Sequence, residues 1–311
     1  MIKITAEPQP YFFDGLVGRK IYVPSRKQST KKFLIVYGQH VSIERLRPMI
    51  AFLSNYGDIY LFDSPGFGNM EPSYKLGKKP TLDFYSSNLK NIFDNELPKS
   101  EKFQIVAISF GMQIITHFMQ KYPEYYKRVS VIISFVGFIH HSELNLPKGS
   151  KWLFKYVLGG LGQTSLGSKL YRYILFQPVL LIPIHLALTP LMKPLKRAKF
   201  KTRWKYASEQ AWLWKYNDPR THAYTGWQFL NHVDLTNKRI NLDCHHIFAE
   251  HDQYIKNNLV LSHFKKVFLS VTAHALNIPS HSPIDIEEEY EIAELLPKNV
   301  IELIEAETNL I

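Results

Sequence analysis

The sequence predicts an α/β protein built on a mostly parallel sheet, and three observations carry that expectation. Short, continuous apolar runs alternate with longer stretches patterned at helical spacing. One such run leads through a sharp turn bearing a serine directly into a helix. The strand-like runs then stop near residue 140 and return near residue 237. Runs that are apolar at every position, rather than at every second one, suit a parallel sheet covered on both faces.

In chain order, residues 18–24 read as an early strand, with residues 2–5 as a candidate before it. The run Phe33-Leu34-Ile35-Val36-Tyr37 is the next strand and ends in Gly38-Gln39-His40. A helix is expected over 43–53 and a strand over 58–62, closed by Asp63-Ser64-Pro65-Gly66-Phe67-Gly68. Past Pro80, Leu82, Tyr85, Leu89 and Phe93 recur at helical spacing. Residues 103–108 form the central strand, Ser109 stands at the apex of the turn after it, and a helix is under way by Met112. Residues 129–138 supply another strand. Such alternation implies right-handed crossovers between parallel strands. After residue 237 the pattern resumes, with strands over 244–249 and 266–271 and a last helix around 299–306.

Between the two sheet-forming parts the composition changes. All five tryptophans, Trp152, Trp204, Trp212, Trp214 and Trp227, lie in residues 141–236. From Leu144 to Ser208 there is no Asp or Glu against twelve Lys or Arg, so the net charge of +11 belongs to this region and the remainder is close to neutral. The expected organisation is a discontinuous core, 1–140 and 237–311, with an inserted helical, basic and Trp-rich cap, 141–236. Residues 174–192 are uncharged over a length that spans a bilayer, but Gln177, His185, Pro178, Pro183 and Pro190 favour a broken cap helix. Residues 193–205 carry seven cations. They read as a solvated basic helix or as a peripheral contact with an anionic membrane. Nucleic acid ranks last, because no recognised module accompanies the charge.

Cys244 is the sole cysteine, so no intramolecular disulfide can form and metal sites built on several thiolates are excluded. The first residues show no charged segment followed by a long apolar core, and a cytoplasmic location is expected.

The turn at Ser109 carries the chemistry. A serine on a strained strand-to-helix turn presents its hydroxyl beside the amides of the new helix, and small residues must flank it where strand and helix cross. Ala107 and Gly111 meet that need. A serine in an ordinary turn is the plain alternative.

Four motifs resemble those of the α/β-hydrolase superfamily. Gly38-Gln39-His40 resembles its His-Gly-x loop, with Tyr37 in place of the usual His. Asp63 to Gly68 resembles its Asp-x-x-Gly-x-Gly turn, Ala107-Ile108-Ser109-Phe110-Gly111 its nucleophile elbow, and Ala249-Glu250-His251-Asp252 the Gly-x-x-Asp that ends the strand carrying the acid. The resemblance implies a serine esterase, lipase or lactonase fold with its groups in the chain order Ser, acid, His. Ser109 is then the nucleophile, Asp252 the acid, and His274, expected just past the strand over 266–271, the base; His281 ranks second. Oxyanion donors are expected at the amides of Gln39 and Phe110, and Tyr37, His40 and His140 as candidate pocket residues. Relatives that open epoxides or remove halogens attack with Asp at the elbow, so a serine implies acyl transfer on esters or lactones, acyl-homoserine lactones among them. Thioesterase or acyltransferase chemistry and a non-catalytic ligand receptor are the alternatives. No cofactor is expected. His245, His246, Glu250 and His251 lie close in sequence, but alternation along a strand sends His245 and His246 to opposite faces, against a metal site.

Overall fold

A computed structural model describes residues 6–145, 156–161, 164–189, 195–196, 198–252, 254–276 and 288–306. Among them, eight strands form one sheet: β1 (Gln9–Phe13), β2 (Leu16–Val23), β3 (Lys32–Val36), β4 (Asp58–Phe62), β5 (Phe103–Ile108), β6 (Val129–Phe135), β7 (Ile240–Ala249) and β8 (Phe268–Leu276). Their order is β1-β2-β4-β3-β5-β6-β7-β8. The β1–β2 and β2–β4 pairs are antiparallel and every later pair is parallel. The expected parallel sheet is therefore present, with an antiparallel edge.

Helices cover both faces, which is why β3 after Lys32, and β5 apart from the buried Gln104, are apolar at successive positions. On one face α2 (Leu82–Asn91) packs on α3 (Phe110–Lys121), and Phe118 of α3 stacks on Phe93 at 5.3 Å. On the same face Phe264 of α8 (Asn257–Val267) meets His246. On the other face α1 (Arg47–Leu53) packs on α9 (Glu289–Leu295), followed by α10 (Lys298–Glu305).

Several boundaries differ from expectation, β7 starting at Ile240 rather than 244 and β6 ending at Phe135 rather than 138 among them, and two differences have identifiable reasons. The hairpin joining β1 and β2 turns on Asp14-Gly15, both left-handed with φ 52° and 83°. An Asp-Gly pair is a strong hairpin signal, so β1 was readable. The candidate strand over residues 2–5 lies outside the described residues. Later in the chain, α8 continues through Lys266, because Val260, Phe264 and Val267 bury one helical face. The last strand consequently starts at Phe268 rather than 266 and runs to Leu276, pairing with β7 up to Ala249↔Leu276.

Between β6 and β7 the described residues hold no strand. They form α4 (Ser165–Leu170), α5 (Pro178–Leu188), α6 (Phe200–Leu213) and α7 (Pro219–Asn231). The helical run through Ser165–Ile174 meets α5 at a 77° bend, at the Gln177-Pro178 break. No single helix among the described residues is long and apolar enough to cross a membrane. The segment is clasped to the loop after β4: Asn69 N–H donates to the Tyr216 carbonyl at 2.7 Å and Asp218 N–H to the Gly66 carbonyl at 2.7 Å.

Candidate active site

Ser109 sits between β5 and α3 with φ 52° and ψ −118°, a conformation that L residues avoid. Its N–H is held by the Phe135 carbonyl at 2.9 Å and its own carbonyl accepts from Met112 N–H at 2.9 Å. The small residues around it are needed. A Cβ on Gly111 would lie 2.1 Å from the Val36 carbonyl oxygen, and one on Gly38 would lie 3.0 Å from Ser109 Cβ and 3.1 Å from Phe110 N. The Gly38-Gln39 loop thus rests directly on the elbow. Phe110, as the first residue of α3, has no intrahelical acceptor for its N–H.

Ser109 opens into a cavity of about 770 Å³. Ile108, Phe135, Val136, Leu276, Ile292 and Leu296 give it an apolar wall, while Gln39, His40, Arg45, Lys205 and Glu209 bring polar groups. Helix α6 contributes Lys205, Glu209, Gln210, Trp212 and Leu213, so the segment between β6 and β7 roofs the cavity. Gln39 reaches across to it and donates through Nε2 to Thr225 Oγ1 of α7. His40 is left-handed at φ 56°, and its ring packs on Trp214 at 4.5 Å and edge-on to His222 at 5.9 Å. Among the described residues its Nδ1 has no hydrogen-bond partner, and burial holds its pKa well below the usual imidazole value.

Arg45, for which no motif spoke, lines the same cavity. Among the described residues its guanidinium makes no hydrogen bond or ion pair. Burial lowers its pKa, opposed by the nearby Glu209 and Tyr206. Lys205 stands 3.8 Å from Glu209.

Tyr37 is not a pocket residue. It is 1% exposed, its hydroxyl donates to Asp63 Oδ1 at 2.9 Å, and it accepts from Ser64 N–H at 3.2 Å. The reason is the buried Asp63 carboxylate, whose other oxygen accepts from Arg19 Nε at 2.8 Å. Burial pushes the Asp63 carboxyl up to about 7 against the pull of Arg19 and Tyr37. Gly68, left-handed at φ 61°, passes so close that a Cβ there would meet Asp63 Oδ1 and Tyr37 Oη at 2.1 Å. The Asp-x-x-Gly-x-Gly motif is therefore an anchoring turn. His140 is likewise structural. It caps the short turn His141–Glu143 by accepting from Ser142 N–H at 3.0 Å, and it is absent from the cavity wall.

Asp252 lies three residues past β7, at the same sheet edge as Ser109 and two strands away. Its Oδ1 accepts from Tyr254 N–H at 2.8 Å and Ile255 N–H at 3.1 Å, which fixes the carboxylate's position. His274 is inside β8, level with Ile247 of β7, and not past the strand as expected. Three strand spacings, about 14 Å, separate β8 from β5. His274 Nε2 instead meets His245 Nδ1 at 3.1 Å, and burial lowers the pKa of both rings. The structure thus does not bring His274 to Ser109. His281 lies outside the described residues. His246 faces the opposite side from His245, hydrogen-bonded to Ser134 Oγ at 3.1 Å. Among the described residues no three His, Cys, Asp or Glu side chains come together as metal ligands.

Comparison with protein-family models and with curated proteins finds no match. Solved structures do match. An enol-lactonase from Burkholderia xenovorans LB400 superposes with a TM-score of 0.67 at 13% identity, over 96% of this chain and 100% of its own. The epoxide hydrolase CorEH gives 0.64 at 10% identity, over 96% and 98%. A thermophilic esterase from Thermogutta terrifontis gives 0.62 at 12% identity, over 97% and 100%. At such identities the likeness is one of fold.

Proposed function

We propose that this chain, which has the α/β-hydrolase fold, is a serine hydrolase of carboxylic esters or lactones with apolar acyl groups. The observation that supports it most is the strained Ser109, opening into a largely apolar cavity of about 770 Å³ beside the Gly38-Gln39 loop. Lactonase and esterase relatives of the fold accord with this chemistry, and a serine rather than a carboxylate at the elbow argues against epoxide opening.

In the reaction so proposed, Ser109 Oγ attacks the acyl carbonyl and gives its proton to an imidazole. The oxyanion is met by the amides of Phe110 and Gln39. The alcohol leaves with the proton, and water then releases the acid from the acyl-enzyme. His274, inside β8, is tied to His245 of β7, so the base role passes to His281, five residues beyond the end of β8, with Asp252 as its carboxylate partner. Arg45 supplies a place for an anionic group at the far end of a substrate, since among the described residues its guanidinium makes no hydrogen bond or ion pair and feels Glu209 only from a distance.

The test is hydrolysis of a p-nitrophenyl ester series of rising chain length, beside acyl-homoserine lactones. It is run with native protein and with Ser109→Ala, His281→Ala and His274→Gln. Turnover abolished in the first two and retained in the third is expected. A native protein inert on every substrate and unlabelled by a serine-reactive phosphonate would leave a ligand receptor; labelling without hydrolysis would leave acyl transfer to another acceptor.

A further inference from the structure

The segment between β6 and β7 turns an unusual surface to solvent. Nineteen large apolar side chains are well exposed among the described residues, and twelve of them fall between Tyr156 and Trp212. Leu166 is 82% exposed, Val179 77%, Phe200 70% and Tyr173 69%, joined by Ile184 and Trp204. The helices that carry them adjoin one another: α5 packs along α6, and the helical run before α5 joins it at the 77° bend. Helix α5 carries no charge at all.

The charge around this surface has one sign. Lys169, Lys196, Lys199 and Lys201 are exposed, and among the described residues none of them has an acidic partner. Phe200 and Trp204 pack on each other, ring centres 6.1 Å apart, between these lysines at the start of α6. No Asp or Glu occurs from Leu144 to Ser208.

From this combination we infer that the α4–α6 surface docks on an anionic lipid bilayer, with the side chains of α5 and the Phe200–Trp204 pair entering the interface and the lysines meeting lipid phosphates. A second copy of the chain fits poorly, because a symmetric contact would set like charges against each other. The aromatic side chains beside the cations are of the kind that settle at headgroup depth. Helix α6 presents Phe200 and Trp204 outward and Lys205, Glu209 and Leu213 to the cavity, so docking brings the cavity roof to the source of apolar acyl substrates. The docking itself does not depend on the hydrolase reading, and binding is measured without turnover.

The experiment is flotation of the full chain with vesicles of phosphatidylcholine alone and of phosphatidylcholine mixed with phosphatidylglycerol. Flotation is expected with the anionic vesicles only, and high salt should weaken it about tenfold or more. Two double variants probe the two halves of the surface. Val179→Asp with Ile184→Asp removes the apolar half, and Lys199→Glu with Lys201→Glu reverses charge without touching the core. Each should cut binding about tenfold or more while the thermal unfolding of the free protein stays native. Failure to float with anionic vesicles at low salt overturns the inference. So does equal binding to both vesicle types without salt dependence, and so does a stable dimer in sedimentation that the Val179→Asp pair dissolves, which would assign the surface to a second copy.

Discussion

Replacing Gly111 by alanine tests whether the serine turn is fixed by the crossing of β3 and α3. The added methyl would sit 2.1 Å from the Val36 carbonyl oxygen, about 1 Å inside the 3.0 Å that real Cβ atoms respect. That oxygen belongs to the backbone of a strand buried between β4 and β5, so it cannot swing away as a flexible side chain would. The start of α3 must retreat instead, carrying the Phe110 amide and Ser109 with it. Overpacking of this kind costs about 1–3 kcal/mol, and in a chain of 311 residues a loss near 2 kcal/mol lowers Tm by about 3 °C. A displacement near 1 Å at the reacting groups costs about 100-fold in turnover. Thermal unfolding by circular dichroism and kcat/KM on a short-chain ester read the two effects separately. Ala107→Gly is the control. It deletes one buried methyl, costs about 1–2 kcal/mol from that methyl and the freer backbone together, and should leave turnover intact. A Gly111→Ala protein with native Tm and native turnover would refute the crossing argument, whatever the substrate proves to be.

Three further outcomes are expected. Tyr37→Phe removes one donor to the buried Asp63 carboxylate and should cost about 1–3 kcal/mol in urea unfolding while kcat is unchanged, because the hydroxyl faces Asp63 and not the cavity. Burial pushes the His246 pKa down to about 3 from the ordinary 6.5, so the fold requires its neutral form. Its contribution is complete above pH 6.5 and falls by about 3 kcal/mol by pH 4 as the unfolded chain takes up the proton, and His246→Leu should show a correspondingly flatter acid limb than native protein. Arg45→Leu should raise KM about tenfold or more for an ester bearing a free carboxylate at its far end and leave a neutral ester of the same length unaffected; equal effects on both would remove the anion-binding role.

Much of the core could be read because its signals are local. The apolar runs that became β3, β4, β5 and β6 sit where the sequence put them, and Ala107, Ser109 and Gly111 fall at the strand-to-helix turn. Failures came where a partner far along the chain decides. Tyr37 looks like a pocket residue from its place after β3, yet Asp63, 26 residues on, captures its hydroxyl. His140 looks like a pocket residue at a junction, yet its capping geometry and Asp234, 3.8 Å from its ring, engage it. His274 looks like a base from its place past a strand expected to end at 271, yet α8 extends through Lys266 and the strand runs on to Leu276. In Arg45 the signal was missing altogether, because nothing near it in sequence foretells that α6 will close a cavity over it.

The two hydrogen bonds that clasp the roof to the loop after β4 run from main chain to main chain, Asn69 to Tyr216 and Asp218 to Gly66. Neither depends on the identity of a side chain. Gly66 and Gly68 hold the receiving loop in left-handed turns, and Asp63 braces it from within. Side chains add to it at two places, where Gly68 N–H donates to the buried Asn217 Oδ1 at 3.4 Å and Gln39 reaches Thr225, so away from those positions the attached helices can change residue by residue without coming loose. Selection can in this way retune what the cavity admits and what its outer surface touches while the machinery around Ser109 stays still.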